Sequence, residues 1–237
     1  MSLALVGFDT ATADTAVCAW RDGEVVFESL LGPSDREVPL HTAALLEQVE
    51  SAVAAAGGWD TVERLAVGLG PGTFTGLRIG VATARGLGLS RGLPVSGVCT
   101  LDAIGLALGE VPGDSARLAA IDARRGEVFA ALYAAGGERL WEPLVCPPEE
   151  LAERVAALPD PPLAGGSGAV RFRQQLASRG VEIPGDADPV HRVAARHICA
   201  LAATGPPGDG SGPLVPIYLR PPDAERWRER DSLQKSE

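Results

Sequence analysis

Lysine is almost missing from this chain: Lys235, third from the end, is the only one, and every other cationic side chain is arginine. A phosphate-loop lysine and a buried Schiff-base lysine are thereby excluded. Asparagine is absent, so no N-glycosylation site exists. The three histidines, His41, His191 and His197, form neither HxxxH nor HExxH, and both His191 and His197 are expected as surface or helix-end residues. The four cysteines, Cys18, Cys99, Cys146 and Cys199, contain no CxxC. They read as buried small hydrophobes in a reducing compartment, and no metal site is expected. No GxSxG is present. Positive charge is also short, with a net charge of −10. That argues against gripping nucleic acid or a membrane surface unaided. The opening Leu3–Val6 run is too short for a signal peptide or a membrane span, so a cytoplasmic protein is expected.

What remains is globular: 237 residues, 46% hydrophobic and 22% charged, with 29 glycines and 19 prolines. The chain opens with an apolar strand, Leu3–Phe8, that ends at Asp9. Strands at 15–20 and 25–30 follow, joined by an Asp22-Gly23 hairpin turn. A loop runs from Pro33 to Pro39. A helix is expected over 40–56, with Leu46, Val49, Val53 and Ala56 at helical spacing and Gly57-Gly58 as its stop. A strand at 65–69, a helix from about Thr73 to Arg91 and a strand at 94–98 come next. A short helix over 100–108 has Thr100 as its cap. After a boundary at 111–114 the opening pattern returns. An apolar run, 117–121, ends at Asp122, and strands at 127–133 and 138–145 follow. This predicts two related lobes, 1–110 and 111–222, with a charged tail over 223–237 in which only Trp227 hints at docking. Helices are expected at 149–158, 169–178 and 190–203, a strand near Leu163, a loop over 205–213 and an extended segment over 214–219.

Asp9 and Asp122 stand out among the carboxylates, because each follows a buried strand and opens a turn. Such aspartates orient metal and phosphate in folds that bind nucleotide between two lobes; elsewhere they satisfy turn amides, the reading preferred here. An ATP-dependent enzyme using both therefore stays open. The segment Gly70–Gly80 joins a strand to a helix, and Gly72, Gly76, Gly80, Ala84 and Gly88 recur at i, i+4. Helical glycine costs roughly 1 kcal/mol against alanine, so a stripe of them asks for a closely approaching neighbour. That neighbour belongs either to this chain or to another subunit. The helix at 40–56 is small and apolar over much of its girth, at Ala43, Ala44, Leu45, Leu46, Val49, Ala52 and Val53, more than one sheet can cover.

Phe8–Thr12, Gly70–Gly80, Gly97–Leu101, Ala120–Phe129 and Pro216–Arg220 resemble the TsaB (YeaZ) family, in order from the first strand to Arg220. The resemblance implies an α/β fold of the actin/Hsp70-like (ASKHA) kind with a reduced second lobe. It implies a non-catalytic subunit that pairs with its paralogue TsaD, joined by TsaE, in transferring threonylcarbamoyl to N6 of adenosine 37 of tRNA. Metal and ATP would belong to the partner complex, and tRNA would be reached only through it. The partner surface it implies includes His41, Ala44, Leu45, Gln48 and Val49 on one helix. On the next it includes Thr73, Phe74, Gly76, Leu77, Gly80, Thr83 and Ala84. The same surface would serve a homodimer when the chain is alone. Gly165–Ala169 looks like the adenosine-contacting turn of ASKHA proteins, which makes Gly166, with Asp9 and Asp122, the residues a nucleotide would meet.

Overall fold

The computed structural model describes residues 3–33, 41–205 and 214–220. Most of the expected 33–39 and 205–213 loops, and the charged tail with Trp227, lie outside them.

The first sheet grows from a meander. β1 (Ala4–Asp9) pairs antiparallel with β2 (Thr15–Arg21), and β2 with β3 (Glu24–Leu31). The hairpin turns on Asp22 and Gly23, both at positive φ (52° and 94°), as an Asp-Gly turn of this kind requires. α1 (His41–Ala55) then leads to β4 (Arg64–Gly68), parallel to β1. α2 (Phe74–Arg91) leads to β5 (Val95–Val98), parallel to β4. The strand order is β3-β2-β1-β4-β5. After α3 (Thr100–Leu108) the second sheet repeats the scheme with β6 (Arg117–Arg124), β7 (Glu127–Tyr133), β8 (Arg139–Cys146) and β9 (Leu163–Gly165). Its order is β8-β7-β6-β9. β6 runs antiparallel to β7 and parallel to β9, just as β1 does to β2 and β4.

Both sheets are covered on both faces, which is why their central strands read as unbroken apolar runs. Val6, Phe8, Val17 and Ala19 pack under α1 and α2, while Leu5, Ala16 and Cys18 meet α7 (Ala195–Thr204) on the other side. In the second sheet Leu118, Ala120, Val128 and Ala130 pack against α4 (Pro148–Ala156), α5 (Ser167–Arg171) and α6 (Arg173–Ala177). Ala119, Ile121, Phe129 and Ala131 share a core with α3 and α7 between the lobes. The strand period of two thus sorts each sheet's side chains into two cores. Fully burying a leucine or phenylalanine stabilises by roughly 1.5–3 kcal/mol, and twelve of the largest side chains, Phe8 and Leu65 among them, are fully buried.

Several expected elements shift. The 169–178 helix is two short helices broken at Phe172 (φ −108°, ψ 28°). The 190–203 helix is a 3-10 turn at Pro189–His191, then α7 from Ala195. Thr100 is not a cap: Cys99 holds that position, without a side-chain bond. The chain also does not stay in its second lobe after residue 111. α7 crosses back onto the first sheet, where a Cβ on Gly7 would stand 2.5 Å from Cys199 Sγ. The 214–220 strap returns too, Ile217 N–H donating to the Leu69 carbonyl (2.7 Å).

Candidate functional site

α1 and α2 lie side by side on the outer face of the first sheet. Thr73 caps α2, its hydroxyl accepting from Gly76 N–H (3.3 Å). The glycine stripe of α2 faces inward. A Cβ on Gly76 would overlap the Thr10 carbonyl oxygen and one on Gly72 the Ala11 carbonyl oxygen. One on Gly80 would stand 2.5 Å from Thr10 Oγ1, and one on Gly88 2.6 Å from Val95. Through the gap so made, Thr10 Oγ1 donates to the Gly76 carbonyl (2.7 Å) and Thr73 N–H to the Ala11 carbonyl (2.7 Å). The close neighbour of Gly72, Gly76 and Gly80 is therefore this chain's own β1–β2 turn, and that of Gly88 is β5.

The residues expected on the partner surface divide by burial. His41, Leu45, Val49, Gly76, Leu77, Gly80 and Ala84 are buried within the chain, while Ala44, Gln48, Thr73, Phe74 and Thr83 are half-buried at the margin. Leu46, one of the apolar residues too many for one sheet to cover, points outward and is 57% exposed; Leu89 of α2 is 84% exposed. Around them the outer faces present Ala43, Ala54 and Ala82, with Glu47 and Glu50 on α1 and Arg78 and Arg85 on α2. The sequence signal for Leu46 was available: α1's buried set, 41/45/49/52/53, already fills one helical face without it.

The histidines are buried, not superficial: His41, His191 and His197 are all 5% exposed or less. His41 Nε2 lies 3.1 Å from the Thr12 carbonyl, which can only accept, so its Nδ1 accepts from Thr15 Oγ1 (2.8 Å). Burial holds the His41 ring below the usual imidazole range. His191 Nε2 meets the Pro184 carbonyl (3.1 Å), and His197 Nε2 meets Glu110 (2.9 Å). All four cysteines are buried free thiols. Among the described residues no group of three or more His, Cys, Asp or Glu could hold a metal ion. Likewise among them, no helix is long and apolar enough to cross a membrane.

Asp9 and Asp122 do the same job in the two lobes. Asp9 Oδ1 accepts from Ala11 N–H (2.7 Å), and Asp122 Oδ1 from Arg124 N–H (2.8 Å). Each closes a turn onto the residue two positions on. Asp9 is buried, its other oxygen accepting from Thr100 Oγ1 (2.7 Å), which in turn accepts from Gly70 N–H (3.1 Å). Burial pushes the Asp9 carboxyl up, against the pull of the Thr100 and Ala11 bonds. Thr100→Val leaves Asp9 Oδ2 and Gly70 N–H unpaired, and a urea titration is expected to show a loss of about 2 kcal/mol. Gly166 is pressed against the Ala120 carbonyl, and Ser167 Oγ accepts from Asp122 N–H (3.2 Å). Asp122 lines an open cleft of about 530 Å³ between the start of α2, the β6–β7 turn and the 214–220 strap, and Asp9 and Gly166 are not among the residues lining it.

The family model described as "TsaD: tRNA N6-adenosine threonylcarbamoyltransferase" matches residues 38–164. The chain is 38% identical over 224 residues to an uncharacterized protein of Mycobacterium tuberculosis (strain ATCC 25618 / H37Rv), covering 93% of each. It is 37% identical over 159 residues to the tRNA threonylcarbamoyladenosine biosynthesis protein TsaB of Escherichia coli (strain K12), which is 65% of this chain and 67% of that protein. The solved YeaZ structure from Pseudomonas aeruginosa superposes with a TM-score of 0.73 at 27% identity, covering 92% of this chain and 100% of that one. The chain belongs to the TsaB (YeaZ) family. The duplicated sheets, the paired aspartate turns and the interlobe core together make it an ASKHA-type α/β fold. The TsaB likeness extends over both lobes, since the YeaZ superposition takes in nearly the whole described chain.

Proposed function

We propose that this chain is a non-catalytic subunit of the machinery that places threonylcarbamoyl on N6 of adenosine 37 in tRNA. In this reading it docks a TsaD paralogue through the outward faces of α1 and α2, with TsaE joining the pair, and metal and ATP are held by the partners. The tRNA role is supported by the name of the Escherichia coli relative. The non-catalytic reading is supported by the use of Asp9 and Asp122 as turn-closing acceptors.

One observation carries the docking surface. Two large apolar side chains, Leu46 and Leu89, stand exposed on neighbouring helices over one face of the first sheet. The same outer faces carry Ala43, Ala54 and Ala82, small residues over which another helix can approach, together with the charged Glu47, Glu50, Arg78 and Arg85. Exposed apolar area of this kind marks an interaction surface. Sedimentation of this chain mixed with its TsaD paralogue tests the reading. A heterodimer is expected, formed at the expense of any homodimer, because both use the same face. Two species that sediment independently would refute it.

A further inference from the structure

The interlobe cleft has a chemistry unlike the rest of the molecule. In a chain of net charge −10, its lining holds Arg124, Arg125 and Arg220 against Asp122 alone. Arg220 is committed to structure. It bonds Glu127 (2.5 Å) and the Ala123 carbonyl (3.1 Å), which ties the 214–220 strap to the second lobe. Arg124 is held loosely: its guanidinium lies 3.6 Å from Asp122, and its side chain is 63% exposed. Opposite the arginines stands an aromatic pair, Phe74 of α2 and Tyr218 of the strap, with ring centroids 5.5 Å apart. Tyr218 is 43% exposed, and Arg78 stacks 3.7 Å over the Phe74 ring. A guanidinium beside an exposed aromatic ring, here Tyr218, is what single-stranded RNA uses: phosphate against arginine, base against ring.

Size and access narrow the ligand. A volume of about 530 Å³ falls in the small-ligand class, on the order of 300–1000 Å³, and admits one nucleotide unit but no duplex. Gly166 and Gly168, in the turn that resembles an adenosine-contacting one, are not among the cleft's lining residues. The cleft's exposed arginine side is open to a strand passing through. Its other wall begins at Phe74, at the end of the helix assigned above to partner docking, so an RNA held by a complex would reach it without leaving the seam. We propose that this cleft takes one phosphate-bearing nucleotide of the single-stranded tRNA segment on which the complex acts. This rests on the tRNA-modifying role proposed above.

The test uses the reconstituted complex and a double variant, Arg124→Gly with Arg125→Gly. Both residues have left-handed backbones (φ 63° and 56°), which glycine adopts freely, so the turn survives the loss of its side chains. Steady-state transfer is expected to show KM for tRNA raised about tenfold with kcat unchanged. The log–log salt dependence of KM is expected to become shallower by about 0.7, the slope for one single-strand phosphate that is no longer neutralised. The paired Arg→Lys variant restores most of the KM. Wild-type KM in the glycine variant overturns the proposal. So does its failure to assemble with the paralogue, which would place these arginines in the docking surface. Arginine-dependent binding of free AMP or ATP in the cleft overturns the strand assignment. Equal turnover with and without this chain sinks the tRNA role and the cleft with it. Chain-dependent turnover whose tRNA KM ignores the substitutions sinks the cleft alone.

Discussion

A Gly76→Val protein is expected to lose about 3 kcal/mol or more of stability, at the upper end of what forced overpacking costs. The reason is local. The first Cβ would already overlap the Thr10 carbonyl oxygen, and the Thr10 Oγ1 bond to the Gly76 carbonyl (2.7 Å) cannot survive the separation that relieves it. Valine adds two methyl groups to that collision. Thermal unfolding should fall by about 10 °C, taking roughly 2–4 °C per kcal/mol for a chain of this size. Gly80→Arg should behave similarly, since Gly80 faces Thr10 Oγ1. Either variant would also weaken partner binding, but as a consequence of a damaged lobe. Gly86 is the control: it lies on the outer face of α2 with nothing near it. Gly86→Ala should therefore stabilise by about 0.5–1 kcal/mol through helix propensity alone. A Gly76→Val chain that melts with the wild type would refute the packing described for α2.

Placing charge on the outward face should have the opposite signature. Leu46→Glu together with Leu89→Glu is expected to leave the melting temperature within about 2 °C, because both side chains are mostly in water and surface changes cost within about 0.5 kcal/mol. Pairing with the TsaD paralogue should weaken at least a hundredfold, about 2.7 kcal/mol, as when a carboxylate is desolvated at the centre of an apolar contact. Homodimers should dissociate in parallel. Calorimetry and sedimentation read the two effects separately. Unchanged affinity in a folded double variant would move the docking surface off these helices.

The contrast between the two experiments marks where the sequence was readable. The duplicated plan was legible because Leu3–Asp9 and Arg117–Asp122 carry the same apolar run and the same turn-forming aspartate, and both aspartates make the same bond to the amide two residues on. The Asp22-Gly23 hairpin was legible because its chemistry is local. The destination of the glycine stripe was not. Spacing shows that something comes close, and only the fold shows that it is the β1–β2 turn and β5 of the same chain. Thr100 misleads for a related reason: a threonine at a helix start reads as a cap, but its hydroxyl serves Asp9, 91 residues away in sequence. The cleft was invisible, because Arg124, Phe74 and Tyr218 meet only when the strap crosses between the lobes.

Whether the chain is a required but non-catalytic subunit is decided by one reconstitution. Formation of threonylcarbamoyladenosine by the purified TsaD paralogue and TsaE, with tRNA, ATP and the threonylcarbamoyl donor present, is followed with and without this chain. Modification that appears only when the chain is added, and rises with it to a one-to-one ratio with the paralogue, is the expected result. Modification at the same rate in its absence would show that the chain has no part in the reaction.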